Sequence, residues 1–296
     1  MDYVVKTKNL SMKYRNKYAI RDVEISVKPN EIYGLVGKNG AGKTTLMKCL
    51  LGLVPGSTGD IKLFESNCLA KNRARMGALI EEPGFFNNLS GYDNLLYYSK
   101  AYGIGDKQEI IRLLQLVKLE GAKDKKYKQY SLGMKQRLGI ALSLLGDPEI
   151  LILDEPINGI DPEGIVEIRR LLKMIAKEQN KTIIISSHIL SELENIADRI
   201  AILNDGKLID VLDNEKGNNA TMITIISTND DTKAVEILEQ MGLEVEKSKD
   251  LKITGEFKTS DLLRAMFQSN IEILEFERKH ESLEDYYLER LEEKNA

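Results

Sequence analysis

The chain is poor in cysteine, histidine and proline and has no tryptophan: it holds two cysteines, two histidines and six prolines in 296 residues. Cys49 and Cys68 lack the close spacing of a metal-binding motif. We therefore predict that each is a small apolar residue, buried or half-buried. This length allows a large domain and a small one to form cores without disulfides or metals, and the cysteine usage favours a reducing cytosol.

Long apolar runs are also absent from the sequence. No stretch approaches the about 20 apolar residues that span a membrane, and the N-terminus lacks the basic and apolar segments of a secretory signal. If the protein works at a membrane, another subunit must cross it. The 42 basic and 46 acidic residues give a net charge of -4 without a basic patch, so we expect no binding to nucleic acid.

Strand and helix patterns alternate along the first 212 residues. Antiparallel, half-buried strands are predicted at 3–10 and 20–28 because apolar and polar residues alternate there. Repeated strand and helix units indicate a mainly parallel sheet covered on both faces. Its predicted strands are 31–36, 150–154, 182–186 and 199–203, and its helices are 44–53, 163–178 and one from residue 190. Residues 91–146 show only helical stretches, at 92–102, 107–117 and 132–145.

A polar, glycine-containing stretch at residues 213–220 is predicted to be a linker. The pattern after it indicates a second domain of mixed helices and strands. Its predicted strands are 222–226, 243–246, 251–256 and 271–276, and its predicted helices are 233–241, 260–268 and one from residue 282.

A glycine-rich loop lies between the strand at 31–36 and the following helix. Its sequence, Gly-Lys-Asn-Gly-Ala-Gly-Lys-Thr, matches the phosphate-binding pattern that ends in lysine and a hydroxyl residue. Lys43 is expected to reach the terminal phosphates of ATP and Thr44 to hold Mg²⁺. A merely flexible glycine loop is the alternative, which the position between strand and helix disfavours. The predicted nucleotide-binding residues are Gly37, Lys38, Asn39, Gly40, Ala41, Gly42, Lys43, Thr44 and Thr45.

Two carboxylates end the apolar strand at 150–154. Asp154 is predicted to bind Mg²⁺, directly or through water, because this hard cation prefers oxygen ligands. Glu155 is predicted to act as the general base on the attacking water. A buried strand with a polar end would explain the segment alone, but the phosphate loop makes that reading less favourable.

Between these elements, residues 130–137 (Tyr-Ser-Leu-Gly-Met-Lys-Gln-Arg) resemble the signature of ABC ATPases, whose usual form is Leu-Ser-Gly-Gly-Gln. Ser131 and Gly133 match it, whereas Leu132 and Met134 depart from it. The resemblance extends from residue 3 to about 212. It implies that Ser131 and Gly133 contact the γ-phosphate of ATP held by a second ATPase subunit.

The same resemblance assigns roles to three further residues. Asp161, in the segment Asn-Gly-Ile-Asp, resembles the D-loop, which communicates across the dimer. His188 matches the switch histidine that holds the γ-phosphate and the catalytic water, so the implied catalytic residues are Glu155, His188 and Lys43. Tyr14 occupies the place of the aromatic residue that stacks on adenine. A structural histidine and a surface or core tyrosine are the alternatives.

Glu81 is an acidic residue where ABC ATPases usually have a glutamine that touches Mg²⁺. This feature resembles the ATPases of lantibiotic-immunity, bacitracin-resistance and amphipathic-peptide exporters, and it makes Glu81 a candidate metal ligand beside Thr44 and Asp154. A neutral substitution in a generic exporter is the alternative. In the family, the surface at 87–92 receives a helix of the membrane subunit.

The expected fold is α/β. It has a P-loop ABC ATPase core at 1–212, with a parallel sheet, an antiparallel β subdomain and a helical subdomain at about 91–147, and a small C-terminal α+β domain at 221–296. The resemblance implies ATP and Mg²⁺, separate transmembrane subunits, and a homodimer or a heterodimer with a paralogous ATPase. It places the protein peripherally at the cytoplasmic face of the membrane. The alternatives are a drug or lipid exporter, a soluble non-transport ABC ATPase, and a regulatory module without turnover.

Overall fold

The structure is a computed structural model that describes residues 2–81, 83–214, 222–247, 250–255 and 257–280. The chain divides into two compact units, Met1–Glu215 and Lys216–Ala296. The first unit contains, in chain order, β1 (Val5–Tyr14), β2 (Lys17–Val23), β3 (Ser26–Val27), β4 (Ile32–Val36), α1 (Lys43–Leu51), β5 (Thr58–Leu63), α2 (Leu69–Arg73), β6 (Met76–Leu79), α3 (Gly91–Ala101), α4 (Lys107–Leu116), α5 (Leu132–Ser143), β7 (Ile150–Leu153), α6 (Pro162–Glu178), β8 (Thr182–Ser187), α7 (Leu190–Glu194), β9 (Arg199–Asn204) and β10 (Lys207–Asp213).

The central sheet of the first unit confirms the predicted parallel arrangement. Its strand order is β10-β9-β4-β8-β7-β6, and all neighbours are parallel except β10, which is antiparallel to β9. Every residue of β4, β7 and β8 is buried. Near-continuous apolar strands form where both faces of a parallel sheet are covered, so these segments occupy its middle.

A second sheet, built from the N-terminal strands, is antiparallel as predicted. Its order is β2-β1-β3, and β5 also pairs with β1. Apolar residues of β1, β2, β4 and α1 share one core, which includes Leu10, Ile20, Tyr33, Leu46 and Met47. This core fixes α1, and hence the start of that helix, against both sheets.

The helical segment contains α3, α4 and α5 in the three places where helices are predicted. Each is preceded by an N-cap residue whose side chain accepts a hydrogen bond from a backbone amide of the first turn: Ser90, Asp106 and Ser131. Such caps satisfy amide groups that have no partner within the helix. Local sequence signals therefore account for these three helix starts.

Sequence patterns did not predict β5, β6, β10 or α2. The shortest of these strands, β6, reads Met-Gly-Ala-Leu, and glycine is unfavourable within a strand. Gly77 is needed because a Cβ atom there would lie 1.7 Å from the carbonyl oxygen of Ser143, in α5. Gly77 therefore weakens the strand pattern in the sequence and also allows α5 to pack against β6.

The first unit extends slightly beyond residue 212. Asp213, the first residue of the predicted linker, is the last residue of β10. The side-chain amide of Asn214 donates to the carbonyl oxygens of Glu194 and Ala197, each at 2.7 Å. The remainder of the predicted linker, 215–220, lies outside the described residues.

The second unit has the mixed composition that the sequence predicts. It contains β11 (Met222–Thr228), α8 (Asp231–Gln240), β12 (Glu244–Lys247), β13 (Leu251–Thr254), α9 (Thr259–Gln268) and β14 (Ile273–His280), with an antiparallel sheet of order β12-β13-β11-β14. Its own core includes Ile226, Leu238, Leu251, Leu262 and Met266. The helix predicted from residue 282 lies outside the described residues. Across the described ranges of both units, no helix has the length and apolarity needed to cross a membrane.

The prediction that both cysteines are at least half-buried is wrong for Cys68. This residue is exposed at the position before α2, whereas Cys49 is buried inside the core of the first unit. Burial raises the pKa of the Cys49 thiol to about 11. Because the thiolate is the reactive form, Cys49 is protected both by its pKa and by its surroundings.

A thiol-specific maleimide at neutral pH should therefore label the native protein once, at Cys68. Mass spectrometry of the native and the unfolded protein measures this directly. Unfolding should expose Cys49 and add a second label, and the variant Cys68→Ser should remain unlabelled until it unfolds. Rapid labelling of Cys49 in the native protein would contradict the described core.

Candidate functional site

Four chain segments meet at the edge of the central sheet where its parallel strands end. The phosphate loop follows β4, Asp154 follows β7, His188 follows β8, and Glu81 lies two residues after β6. These strand ends are aligned, since Val36 pairs with Ser187 and Leu79 with Leu153. Ligands of open α/β sheets bind outside the carboxyl ends of their strands. The topology therefore places these candidate site residues at one edge of the central sheet, where its parallel strands end.

Backbone geometry explains the glycines of the phosphate loop. Gly40 and Gly42 have φ angles of 85° and 106°, in the left-handed region that favours glycine. A Cβ atom on Gly37 would lie 2.4 Å from the carbonyl oxygen of Leu203. Helix α1 starts at Lys43 without a side-chain cap, so its first amide groups are available to an anion. The loop has the form of a phosphate-binding turn.

Lys43 is a buried cation at the start of α1, with 5% of its surface exposed. Its Nζ atom donates to the carbonyl oxygen of Gly37 at 2.5 Å and lies 3.3 Å from Oε1 of Glu155. The lysine ammonium is thus fixed between the loop backbone and the carboxylate that follows β7. Its charge is available where the loop would hold phosphates.

Asp154 is a buried carboxylate whose two oxygens both accept hydrogen bonds. Thr44 Oγ1 donates to Oδ2 at 2.8 Å, and Ser186 Oγ donates to Oδ1 at 2.6 Å. The hydroxyl and the carboxylate are hard oxygen ligands of the kind that Mg²⁺ prefers, so this pair fits the metal. The described residues contain no cluster of three or more His, Cys, Asp or Glu residues for a metal. A Mg²⁺ ion here would need water and phosphate oxygens to complete its ligands.

Glu155 has an unusual backbone conformation for a residue with a side chain, since its φ angle is 48°. Such a conformation costs about 1–3 kcal/mol and persists where surrounding contacts enforce it. Here the amide of Glu155 donates to Ser186 Oγ at 2.8 Å. The carboxylate contacts Lys43 through Oε1 and Nδ1 of His188 through Oε2, the latter at 2.8 Å. The structure therefore brings the three predicted catalytic residues together.

Ser186 is a site residue that the sequence analysis missed. Its hydroxyl, fully buried in β8, donates to Asp154 and accepts from the amide of Glu155. It thereby fixes both the carboxylate of Asp154 and the backbone of Glu155. The sequence signal that could have indicated Ser186 is a polar residue in an otherwise apolar strand, Thr-Ile-Ile-Ile-Ser-Ser. Polar residues at the end of a strand are ordinary, however, so the pattern does not single out Ser186.

Replacing Ser186 by alanine should lower the turnover number for ATP hydrolysis about 10-fold to 100-fold, because a hydrogen bond to a charged group is worth about 1.5–3 kcal/mol. The KM for ATP should change much less, since the phosphate loop is untouched. Steady-state phosphate release measures both quantities. Ser143→Ala is the matched control, because it removes a buried hydroxyl whose one hydrogen bond among the described residues goes to the carbonyl oxygen of Ile140. Equal losses in both variants would contradict a positioning role for Ser186.

Two further predicted residues lie beside this cluster with side chains at the surface. Tyr14, the last residue of β1, is 45% exposed and is thus accessible from solvent. Glu81 contacts Nζ of Lys48, in α1, at 2.6 Å. The candidate metal ligand is thus paired with a lysine that the sequence analysis did not single out.

The signature and D-loop residues form a second surface of the first unit. Ser131 caps α5 by accepting from the amide of Met134 at 3.3 Å, and Asp161 caps α6 by accepting from the amide of Gly164 at 3.4 Å. A Cβ atom on Gly159 would lie 3.1 Å from the Leu132 side chain, so the two segments are neighbours. Within the described ranges, no hydrogen bond or ion pair joins Ser131, Gly133 or Asp161 to the phosphate loop.

The strand, glycine loop and helix, together with the carboxylates after β7, define an ATPase of the P-loop class. Comparison with known proteins narrows this class. Residues 20–158 match the family described as ABC transporter. The chain is 40% identical, over 97% of both chains, to the bacitracin transport ATP-binding protein BcrA of Bacillus licheniformis. The protein belongs to the ABC transporter family, as an ATP-binding subunit.

Another relative and a solved structure agree with this assignment. The chain is 44% identical to the lantibiotic transport ATP-binding protein SrtF of Streptococcus pyogenes, over 70% of this chain and 89% of that one. A dimeric, post-hydrolysis structure of the ATP-binding cassette MJ0796 with ADP and phosphate aligns with a TM-score of 0.64. That alignment covers 71% of this chain and 98% of the other at 24% identity, and it confirms the predicted ABC ATPase fold of the first unit.

Proposed function

We propose that this chain hydrolyses ATP to drive export of antimicrobial or amphipathic peptides through separate membrane subunits. The observation that carries the proposal is the 40% identity with a bacitracin transport subunit over 97% of both chains. The lantibiotic transport relative and the acidic residue Glu81 point to the same substrate class. The protein would act peripherally, at the cytoplasmic face of the membrane.

The residues of the cluster suit hydrolysis of the γ-phosphate by water. Glu155 would accept a proton from the attacking water, while His188, which contacts the same carboxylate, would orient that water. Lys43 and the loop amides would stabilise negative charge on the transferred phosphoryl group. Thr44 and Asp154 would hold Mg²⁺, which neutralises phosphate charge when bound. Tyr14 would stack on adenine.

Two ATPase subunits would pair head to tail, because in the described part of the chain no hydrogen bond or ion pair joins the signature surface to its own phosphate loop. Ser131 and Gly133 of one copy would then face the γ-phosphate bound by Lys43 of the other, with Asp161 at the interface. Such a pairing closes with twofold symmetry or pseudosymmetry. For the purified chain alone, Glu155→Gln with ATP should sediment as a dimer and without ATP as a monomer. A monomer under both conditions would exclude a stable homodimer.

Transport can be tested in inside-out membrane vesicles from cells that produce this chain and its membrane subunits. Labelled bacitracin or a labelled lantibiotic should accumulate in the vesicles when ATP and Mg²⁺ are added. Vesicles with Glu155→Gln should accumulate none above the level without ATP. A lipophilic dye in parallel tests the alternative of a drug exporter: ATP-driven uptake of the dye without uptake of either peptide would replace the peptide proposal by that alternative.

A further inference from the structure

An ion pair joins the candidate metal ligand Glu81 to Lys48, a residue with no role in the chemistry described above. Nζ of Lys48 donates to Oε1 of Glu81 at 2.6 Å. Lys48 lies in the last turn of α1, the helix that begins at Lys43 and Thr44. Glu81 follows β6, whose last residue, Leu79, accepts from the amide of Asp154 at 2.8 Å. Both members of the pair are therefore attached to elements of the site.

The surroundings of Lys48 place its charge among the groups of the site. The hydrogen bond that Lys48 donates to Glu81 raises the pKa of Lys48, and the negative charges of Glu81 and Asp154 act in the same direction. A lysine side chain is charged at neutral pH. It is the cation paired with the Glu81 carboxylate, which is itself 67% exposed and has a left-handed backbone with φ at 57°.

A carboxylate at this edge of the sheet has two opposing effects on a bound nucleotide. Its negative charge repels the phosphates, and it attracts a divalent cation that accompanies them. The first effect dominates when nucleotide binds without metal, and the second acts only when metal is present. A lysine on the same carboxylate reduces both effects, because it cancels the charge that produces them.

We propose that Lys48 is a positioning residue that compensates the charge of Glu81 and so sets how strongly nucleotide binding depends on Mg²⁺. The inference rests on the proposed ATP and Mg²⁺ site. Lys48 holds the Glu81 carboxylate against α1 and lets an acidic residue occupy this position without strong repulsion of the phosphates. Loss of the lysine therefore penalises binding of metal-free nucleotide more than binding of the Mg²⁺ complex.

The test is a double-mutant cycle with the β,γ-imido analogue of ATP, which resists hydrolysis. Calorimetry gives its Kd in excess Mg²⁺ and in excess EDTA, and the ratio of the EDTA value to the Mg²⁺ value is the Mg²⁺ enhancement. Lys48→Gln should raise this enhancement about fivefold, a modest effect because both side chains are partly exposed. Lys48→Arg keeps the charge and should stay within about twofold of the original protein.

The background variant Glu81→Gln decides the interpretation. There, adding Lys48→Gln should leave the enhancement unchanged within about twofold, because no carboxylate remains to compensate. An equal rise with and without Glu81 would overturn the proposal, since Lys48 would then act on the phosphates directly. No change in any variant would also overturn it, while leaving the ATP site intact. If the original protein binds the analogue no better with Mg²⁺ than with EDTA, the proposed metal site fails as well.

Discussion

Replacing Glu155 by glutamine is expected to slow ATP hydrolysis about 10²-fold to 10⁴-fold, the range that a positioned general base contributes. Glutamine has nearly the same shape but its amide cannot accept the proton of the attacking water. Nucleotide binding should persist, because Lys43 and the loop backbone remain and the carboxylate that faces Lys43 becomes neutral. Phosphate release under saturating ATP and Mg²⁺, combined with a binding measurement, separates these two effects.

Glu149→Gln provides a matched control from the other end of the same strand. Glu149 immediately precedes β7, and its carboxylate pairs with Arg75 at 2.6 Å. The change in charge is identical, but the residue lies at the amino end of the strand. Hydrolysis should therefore continue near the original rate. Similar losses in the two variants, or none with Glu155→Gln, would contradict the role of Glu155 as base.

Replacing Lys43 by methionine is expected to weaken ATP binding about 100-fold. The ammonium is a buried cation that contacts the loop backbone and Glu155, and charge-assisted hydrogen bonds are worth about 1.5–3 kcal/mol each. Without it, the phosphates would also face the negative charge of Glu155 with less compensation. Equilibrium binding of a fluorescent ATP analogue in the presence of Mg²⁺ measures the loss.

Lys173→Met removes the same charge from an exposed position on α6 and should leave the affinity unchanged. Thermal unfolding of both variants separates loss of binding from loss of the fold, which matters because Lys43 is buried. A folded Lys43→Met protein that binds ATP as well as the control would exclude the phosphate loop as the binding site.

Local sequence patterns predicted the parts of the site that depend on local chemistry. The glycines of the phosphate loop adopt left-handed or tightly packed conformations that few other residues allow, so their spacing is diagnostic. The apolar segments that become β4, β7 and β8 are buried on both faces. Because parallel strands end at a common edge, the positions of Thr44, Asp154 and His188 after or beside these strands bring them to the same edge of the sheet.

Contacts between segments that are distant in the chain could not be predicted from local sequence patterns. Ser186 and Lys48 are ordinary residues of a strand and a helix until the fold brings them to Asp154 and Glu81. The partner of each is more than 30 positions away in the chain. Gly77 weakens the strand pattern of β6 in the sequence, and its small size is required because α5 packs closely against it. The roles predicted for the individual site residues remain predictions until the variants are measured.

In the proposed function, ATP hydrolysis by this chain drives the export of antimicrobial or amphipathic peptides through separate membrane subunits. Its most direct test is the survival of cells that carry this chain and its membrane subunits against bacitracin, lantibiotics and amphipathic helical peptides. Cells with Glu155→Gln are the comparison. Cells with the original chain should be protected, and this protection should disappear in cells with the variant. Equal sensitivity of the two strains to every peptide would contradict peptide export, while the assignment of the chain as an ATPase would still hold.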